Sequence, residues 1–287
     1  MIGRMKKNQI LIILSGLVFF NVLAWLVVYD SSKNKFLEVN FFDVGQGDSI
    51  FIETPGRAQI LIDGGPDSAV LEKLAKEMPF WDRTIDLVIL THPEKDHLAG
   101  LLDVLSKYKV ENILWTGIIR DTAEYQEWVK LIESEGAKIF IAKAGTRALS
   151  ESARIDILSP LESLVGQEFK DSNDTSIVAK LTFGESSFLF TGDISKSVEK
   201  ELNKNDVDSD VLKVGHHGSK TSSGEEFIKE VSPQIAVISA GKNNSYGHPH
   251  KEVLDILNEY GIHIYETGKD GDIKIISDGE NYAISNF

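Results

Sequence analysis

The sequence contains no cysteine. Disulfides and thiolate metal sites are therefore excluded, and any transition metal has to be held by nitrogen and oxygen. The same absence suits an exported domain. Positive charge is also scarce, with a formal net charge of −14. An acidic chain gains nothing from long-range attraction to phosphates, which excludes a passive nucleic-acid coat. An enzyme can still handle a phosphate, because a bound divalent metal inverts the local charge. There is no repeat or low-complexity segment. Neither a GxGxxG dinucleotide fingerprint nor a GKS/T phosphate loop occurs. The chain has 287 residues, 42% hydrophobic and 26% charged. That composition and length suffice to bury a core without staples.

One long hydrophobic run stands out, residues 10–28, interrupted only by Ser15, Gly16 and Asn21. At about 1.5 Å per residue it makes a helix roughly 28 Å long, the thickness of a bilayer's hydrocarbon layer. Arg4, Lys6 and Lys7 precede it, and Trp25 and Tyr29 lie at its far end as interfacial anchors would. The basic flank predicts an inside N-terminus and an outside C-terminus, against Lys33 and Lys35 on the other side. The rival is a cleaved signal peptide with Val22-Leu23-Ala24 as its cleavage site. Continuation of the run to Val28 favours an uncleaved anchor. The expected layout is a basic N-terminus at 1–9, a transmembrane signal-anchor helix at 10–29, a linker at 30–35 and one globular domain at 36–287.

Within that domain, strand-length runs rich in Ile, Val, Leu and Phe recur at 38–42, 49–53, 59–62, 86–90, 112–115, 138–142, 154–158, 177–183, 188–191, 211–214, 235–239, 263–266 and 273–277. Helical stripes lie between some of them, at Val70/Leu71/Leu74/Met78 and Leu98/Leu101/Leu102/Leu105. Asp121 and Glu124 open a third helix that Gly136 closes. Ser223 and Glu226 box the start of a fourth. Pro249 starts a fifth, with Gly261 as its stop. The pattern predicts a mixed α/β domain with helices covering sheet faces.

Six of the 7 histidines fall in three tight clusters, His92/His97, His216/His217 and His248/His250, each after a strand candidate. His92-Pro93-Glu94-Lys95-Asp96-His97 offers four potential ligands in one strand-end loop, and imidazole and carboxylate suit zinc, manganese and iron. Thr191-Gly192-Asp193 turns sharply at a strand end and presents Asp193. Gly215-His216-His217-Gly218 follows another strand, and His248 stands just before a helix. Asp63, before two glycines, is placed to accept a ring N–H from a metal-bound histidine, or is a turn aspartate. Asp43 and Asp48 flank Gly45-Gln46-Gly47, a close backbone approach to a site or a hairpin turn. Each feature has an ordinary structural reading. Jointly they favour a metal site, because strands of one sheet bring their ends together.

His92-x-Glu94-x-Asp96-His97 resembles the HxHxDH signature of the metallo-β-lactamase superfamily. Asp63-Gly64-Gly65, Thr191-Gly192-Asp193 and His216 follow in that family's order. More narrowly, the chain resembles the hydrolase domain of ComEC-type DNA-uptake proteins, through residues 42–49, 91–100, 173–178, 189–193, 211–219 and Tyr246-Gly247-His248-Pro249. The resemblance implies an αββα sandwich with the site at the sheet edges. It places His92 in metal site one, Asp96, His97 and His216 in site two, and Asp193 as the bridge. Glu94 stands where the second His of HxHxDH is usual, and Asn173 or Asp174 where another site-one His is common. Site one is then oxygen-rich, which moves metal preference from zinc toward manganese or magnesium.

The expected cofactor is one or two divalent ions, zinc or manganese, which lower the pKa of bound water to about 7. Asp96, His248 and His217 are the expected catalytic groups. Asp96 would steer the attacking oxygen, and His248 or His217 would stabilise leaving charge. A phosphodiesterase acting on DNA outside the cytoplasm is the first expectation, with single-stranded DNA as substrate and the membrane as the helix's partner. Lys213, Lys220 and Lys242 would supply local phosphate contacts. The alternatives are a cell-envelope phosphodiester, an amide or ester such as a β-lactam, and a non-catalytic binding module. A single hydrophobic segment cannot form the many-helix channel of ComEC-type proteins, so import itself is not implied.

Overall fold

The structure is a computed structural model that describes residues 7–31, 35–150, 152–202 and 207–286. The chain divides into two compact units, Met1–Lys35 and Phe36–Phe287. The first holds helix α1 (Lys7–Ser31). Among the described residues α1 is the one helix long and apolar enough to cross a membrane, over Lys7–Trp25. Over residues 7–25 its side chains are almost all exposed, Trp25 at 71%. Arg4, Lys6, Lys33 and the side chain of Tyr29 lie outside the described residues.

The second unit begins with β1 (Leu37–Phe41), β2 (Ile50–Glu53), β3 (Gln59–Ile62), α2 (Ala69–Glu77), β4 (Thr84–Ile89), α3 (Lys95–Lys107), β5 (Lys109–Trp115), α4 (Ala123–Glu135) and β6 (Lys138–Ile141). It continues with β7 (Arg147–Leu149), β8 (Ala153–Ser159), β9 (Val178–Phe183), β10 (Ser186–Phe190), α5 (Lys196–Leu202), β11 (Val211–Lys213), α6 (Glu225–Val231) and β12 (Ile235–Ile238). The remaining elements are α7 (Lys251–Glu259), β13 (His263–Glu266), α8 (Thr267–Asp270), β14 (Ile273–Ser277) and β15 (Tyr282–Asn286).

Two sheets form, one in the order β15-β14-β1-β2-β3-β4-β5-β6 and one in the order β13-β12-β11-β10-β9-β8-β7. Side-chain alternation explains how they stack. Val39, Phe41, Ile50, Ile52, Ile60, Ile62 and Ile89 meet Phe188, Phe190, Val211, Ile235 and Val237 between the sheets. The intervening Phe51, Leu61 and Val88 turn outward onto Leu74, Leu98, Leu101, Val104 and Trp128 of α2, α3 and α4. Leu189, Leu212, Ala236 and Ile238 turn the other way, onto Phe227, Ile228, Val253 and Leu257 of α6 and α7. Strands buried on both faces read as continuous apolar runs, which is why they were visible as such. The result is the expected αββα sandwich.

Helix starts differ from expectation. Thr122, not Asp121, caps α4, accepting from the Tyr125 N–H. Gly224 precedes α6 without a side-chain cap, and α7 begins after His250.

Candidate metal centre

In each sheet a parallel segment carries the chemistry. Strands β3 to β6 run parallel, as do β10 to β13. Asp63 follows β3, His92 follows β4, Asp193 follows β10, His216 and His217 follow β11, and His248 lies in the loop after β12. The crevice at the C-terminal ends of parallel strands is where α/β sheets gather functional groups. Two glycines permit the approach. Gly47 has φ +143°, and a Cβ there would collide with the Asp96 carbonyl, to which the Asp48 N–H donates at 3.2 Å. Gly192 has φ +52°, and a Cβ there would meet the Ser176 Cβ at 2.8 Å.

Donor atoms of Asp96, His97, Asp193 and His217 lie within 4.8 Å of one another. Their hydrogen bonds assign the tautomers. His97 donates from Nδ1 to Asp63 Oδ2 at 2.7 Å, leaving a lone pair on Nε2, which lies 3.4 Å from Asp193 Oδ2. His217 donates from Nδ1 to the Ser239 carbonyl at 2.8 Å. Its Nε2 lies 3.2 Å from Asp96 Oδ2 and 3.3 Å from Asp193 Oδ2. Each Nε2 thus faces carboxylate oxygens, a contact that calls for positive charge between them, either a proton on the ring or a metal ion in its place.

His92 is the third buried imidazole. Ser176 Oγ spends its proton on the Asn173 carbonyl at 2.6 Å, and Thr91 Oγ1 spends its own on Asp63 at 2.6 Å. Both hydroxyls therefore accept from His92 Nδ1, at 3.2 and 3.1 Å. His92 Nε2 is left buried with no partner. A buried, unpartnered nitrogen lone pair beside such a cluster is what a metal ligand looks like before its metal. This donor set, oxygen and nitrogen without sulfur, fits a divalent ion.

Electrostatics follow the same lines. Burial and the neighbouring His97 push His92 down to about 3, so it is neutral. Burial pushes Asp193 up, but His217 and His97 outweigh it and hold the carboxyl well below its usual range. Burial pulls His97 and His217 down, yet Asp193 together with Asp63 or Asp48 lifts both well above the ordinary imidazole value. Burial raises Asp63. At Asp193, His97 and His217 the carboxylates favour positive charge beside them.

Not every expected residue converges. Glu94 turns away, its Oε1 held by Arg120 Nη2 at 2.6 Å and by Ser172 Oγ at 2.5 Å. A carboxylate satisfied by a guanidinium lies outside the group of converging donors. His216 is not in that group either. It is 3.9 Å from Asp193 Oδ2, its Nε2 is 3.3 Å from the Asn173 amide nitrogen, and its Nδ1 is 3.1 Å from Thr221 Oγ1. Its neighbour His217 takes the inner place, because both residues adopt left-handed backbone, φ 49° and 54°. Asp174 accepts from the Ser195 N–H at 2.9 Å, holding the loop before α5. His248 lines the crevice with its Nδ1 unpartnered, and burial with the nearby histidines pushes it down to about 4.

Lys213, expected to supply a local phosphate contact, is 1% exposed and paired with Asp48. Lys220 and Lys242 are exposed. Asp48 in turn lies 3.3 Å from His217 Nδ1, so the pair braces the ligand cluster from beneath. The crevice itself encloses about 450 Å³ and is lined by Gln46, Arg120, Lys170, Tyr246 and His248 besides the donors.

Comparison with known proteins adds the following. The family model described as the metallo-beta-lactamase superfamily matches residues 42–242. ComE operon protein 3 of Bacillus subtilis (strain 168) is 31% identical over 289 residues, 94% of this chain and 36% of that protein. Competence protein ComA of Neisseria gonorrhoeae is 29% identical over 237 residues, 81% of this chain and 31% of that protein. The chain thus spans about a third of the length of the curated relatives it matches. Among solved structures, the metallo-beta-lactamase fold protein YhfI from Bacillus subtilis superposes with a TM-score of 0.55 at 17% identity. That match covers 81% of this chain and 96% of YhfI, a likeness of fold.

Proposed function

The chain belongs to the metallo-β-lactamase superfamily as a metal-dependent hydrolase, and from that premise we propose that its substrate is a phosphodiester, foremost single-stranded DNA outside the cytoplasm. The observation that carries this reading is the make-up of the open crevice. The donor cluster stands at its floor, Lys170 and Asp171 line its wall beside the Arg120–Glu94 ion pair, and Tyr246, 66% exposed, stacks on His248 at 5.7 Å. A lysine at the wall suits a phosphate, and an exposed aromatic beside it suits a base. The kinship with competence proteins supports a DNA context.

Asp96, His97, Asp193 and His217 would hold one ion, and His92 would contribute to a second. A divalent ion there supplies Lewis acidity and an activated water. The chain's own residues do the rest. Asp63 fixes the His97 tautomer, and the Ser239 carbonyl fixes that of His217. Asp96, 35% exposed where Asp193 is 3%, is the cluster carboxylate able to orient an attacking water from the crevice side. His248 offers a ring nitrogen to a non-bridging or leaving oxygen. We further propose that residues 36–287 form the hydrolase domain and that α1 anchors it to a membrane with the domain outside.

Purified full-length chain loaded with Mn²⁺ or Zn²⁺ should cleave a single-stranded oligonucleotide, and Asp96→Ala should abolish cleavage while the fold persists. A loaded enzyme that opens bis-p-nitrophenyl phosphate but leaves DNA intact makes an envelope phosphodiester the substrate, a reading the net charge of −14 favours. Activity on a lactam or ester alone overturns the phosphodiesterase reading.

A further inference from the structure

We propose that Glu199 is a positioning residue for the metal centre, clasping the segment that carries His217 to the segment that carries Asp193. The proposal rests on the reading that these two residues hold one ion.

Neighbouring parallel strands feed the two segments. β10 leads to Asp193 and then to α5, and β11 leads to His216, His217 and the loop 219–224 before α6. The second segment is strained. His216 and His217 have left-handed backbone, and so does Ser223, at φ 54°. Residues other than glycine persist there only where their surroundings over-determine them. The His217 end is fixed from one side. Its ring donates to the Ser239 carbonyl, and the His250 N–H donates to the Gly218 carbonyl at 2.9 Å.

The Ser223 end is fixed from the other side, by the segment that follows Asp193. Ser222 Oγ donates to the carbonyl of Ile194, the residue after Asp193. The Lys196 N–H donates to the Thr221 carbonyl at 2.9 Å. Glu199 then accepts from two successive N–H groups, that of Ser223 at Oε1 and that of Gly224 at Oε2, the latter at 2.9 Å. Glu199 is 2% exposed, and Ser222 and Ser223 are buried with it. Adjacent buried N–H groups in a strained turn have to find acceptors, and a carboxylate offers two oxygens at once. Burial raises this carboxyl to about 7 against those bonds and the Lys196 charge, so both oxygens accept above that pH. The loop so held reaches the crevice, since Thr221 Oγ1 lies 3.1 Å from His216 Nδ1. Glu199 is not among the converging donors, so it acts through the backbone it holds.

Cobalt(II) serves as the probe, because its visible absorption reports the geometry of its ligands. The full chain is titrated with Co²⁺ at about pH 8, where Glu199 is ionised and free imidazoles are neutral. Glu199→Gln keeps one acceptor oxygen, and Glu199→Ala loses both. Leu202→Ala is the control. Leu202 is buried on the same helix, in the apolar cluster beneath it, so its loss weakens α5 and leaves both acceptors in place. At a temperature where circular dichroism shows each variant folded, Glu199→Ala should raise the Kd for Co²⁺ about tenfold, the low end for contacts beyond the ligands. Glu199→Gln should raise it less, and the visible band should shift in both. Leu202→Ala should match the unsubstituted chain in affinity and spectrum. Should Glu199→Ala not fold, Glu199→Gln carries the comparison. Unchanged affinity and spectrum in the Glu199 variants overturn the proposal. Equal weakening in Leu202→Ala also overturns it, and leaves Glu199 a stabiliser of α5 alone. Failure of the unsubstituted chain to bind cobalt overturns the metal reading, and the proposal falls with it.

Discussion

The two halves of the metal centre differ in what their carboxylates face. In the half formed by Asp96, His97, Asp193 and His217, carboxylate oxygens face imidazole Nε2 atoms with no other cation beside them. In the half around His92, the one nearby motif carboxylate, Glu94, is already neutralised by Arg120. Spacing in a motif thus tells which side chains can reach a point. The charges already beside them tell which remain free to bind there.

Removing the shared oxygen should have the largest effect. Asp193→Ala should weaken metal binding by well over about a hundredfold, because contacts further out alone are worth 10–100-fold. Elemental analysis and hydrolysis should fall together; retained metal would break the comparison. A buried carboxyl set outside both halves should behave in the opposite sense. Glu199 accepts from the Ser223 and Gly224 N–H groups, and burial raises its pKa to about 7. The folded state keeps that proton up to about pH 7, whereas an unfolded glutamate loses it near 4.3. Stability from this group is therefore full below about pH 4.3 and is lost as pH rises toward 7, by an amount on the order of 3 kcal/mol. Glu199→Gln should flatten that slope in urea melts of metal-free protein at successive pH values.

Asp63→Asn should cost about 10–100-fold in metal affinity by titration, because it disturbs the tautomer of His97 rather than removing a ligand. Glu94→Gln should be smallest, about twofold or less in occupancy, since only a partly exposed ion pair is loosened. A loss equal to that of Asp193→Ala would erase the difference between the halves.

Much of the fold was legible because strands buried on both faces leave unbroken apolar runs, and each such run became a strand. What escaped was short or polar. β7 is three residues at a sheet edge, β15 is an edge strand rich in polar residues, and α5 packs mainly Leu202. In the site, the histidine clusters and Asp193 were visible as strand-end donors. Adjacent His216 and His217 could not be told apart, since two left-handed residues decide which ring turns inward. Asp48 looked like a turn residue because its partners, Lys213 and His217, are distant in sequence. A signal was present at Lys213 itself, a lone cation inside the apolar strand Val211–Lys213, where only an internal counter-charge makes burial tolerable.

That buried lysine also sets the electrical balance of the whole centre. Asp48, Asp63, Asp96 and Asp193 carry four negative charges and Lys213 returns one, while Glu94 and Arg120 cancel. With neutral imidazoles the pocket holds a deficit of three. One dication would bring that balance to minus one, and a second would bring it to plus one.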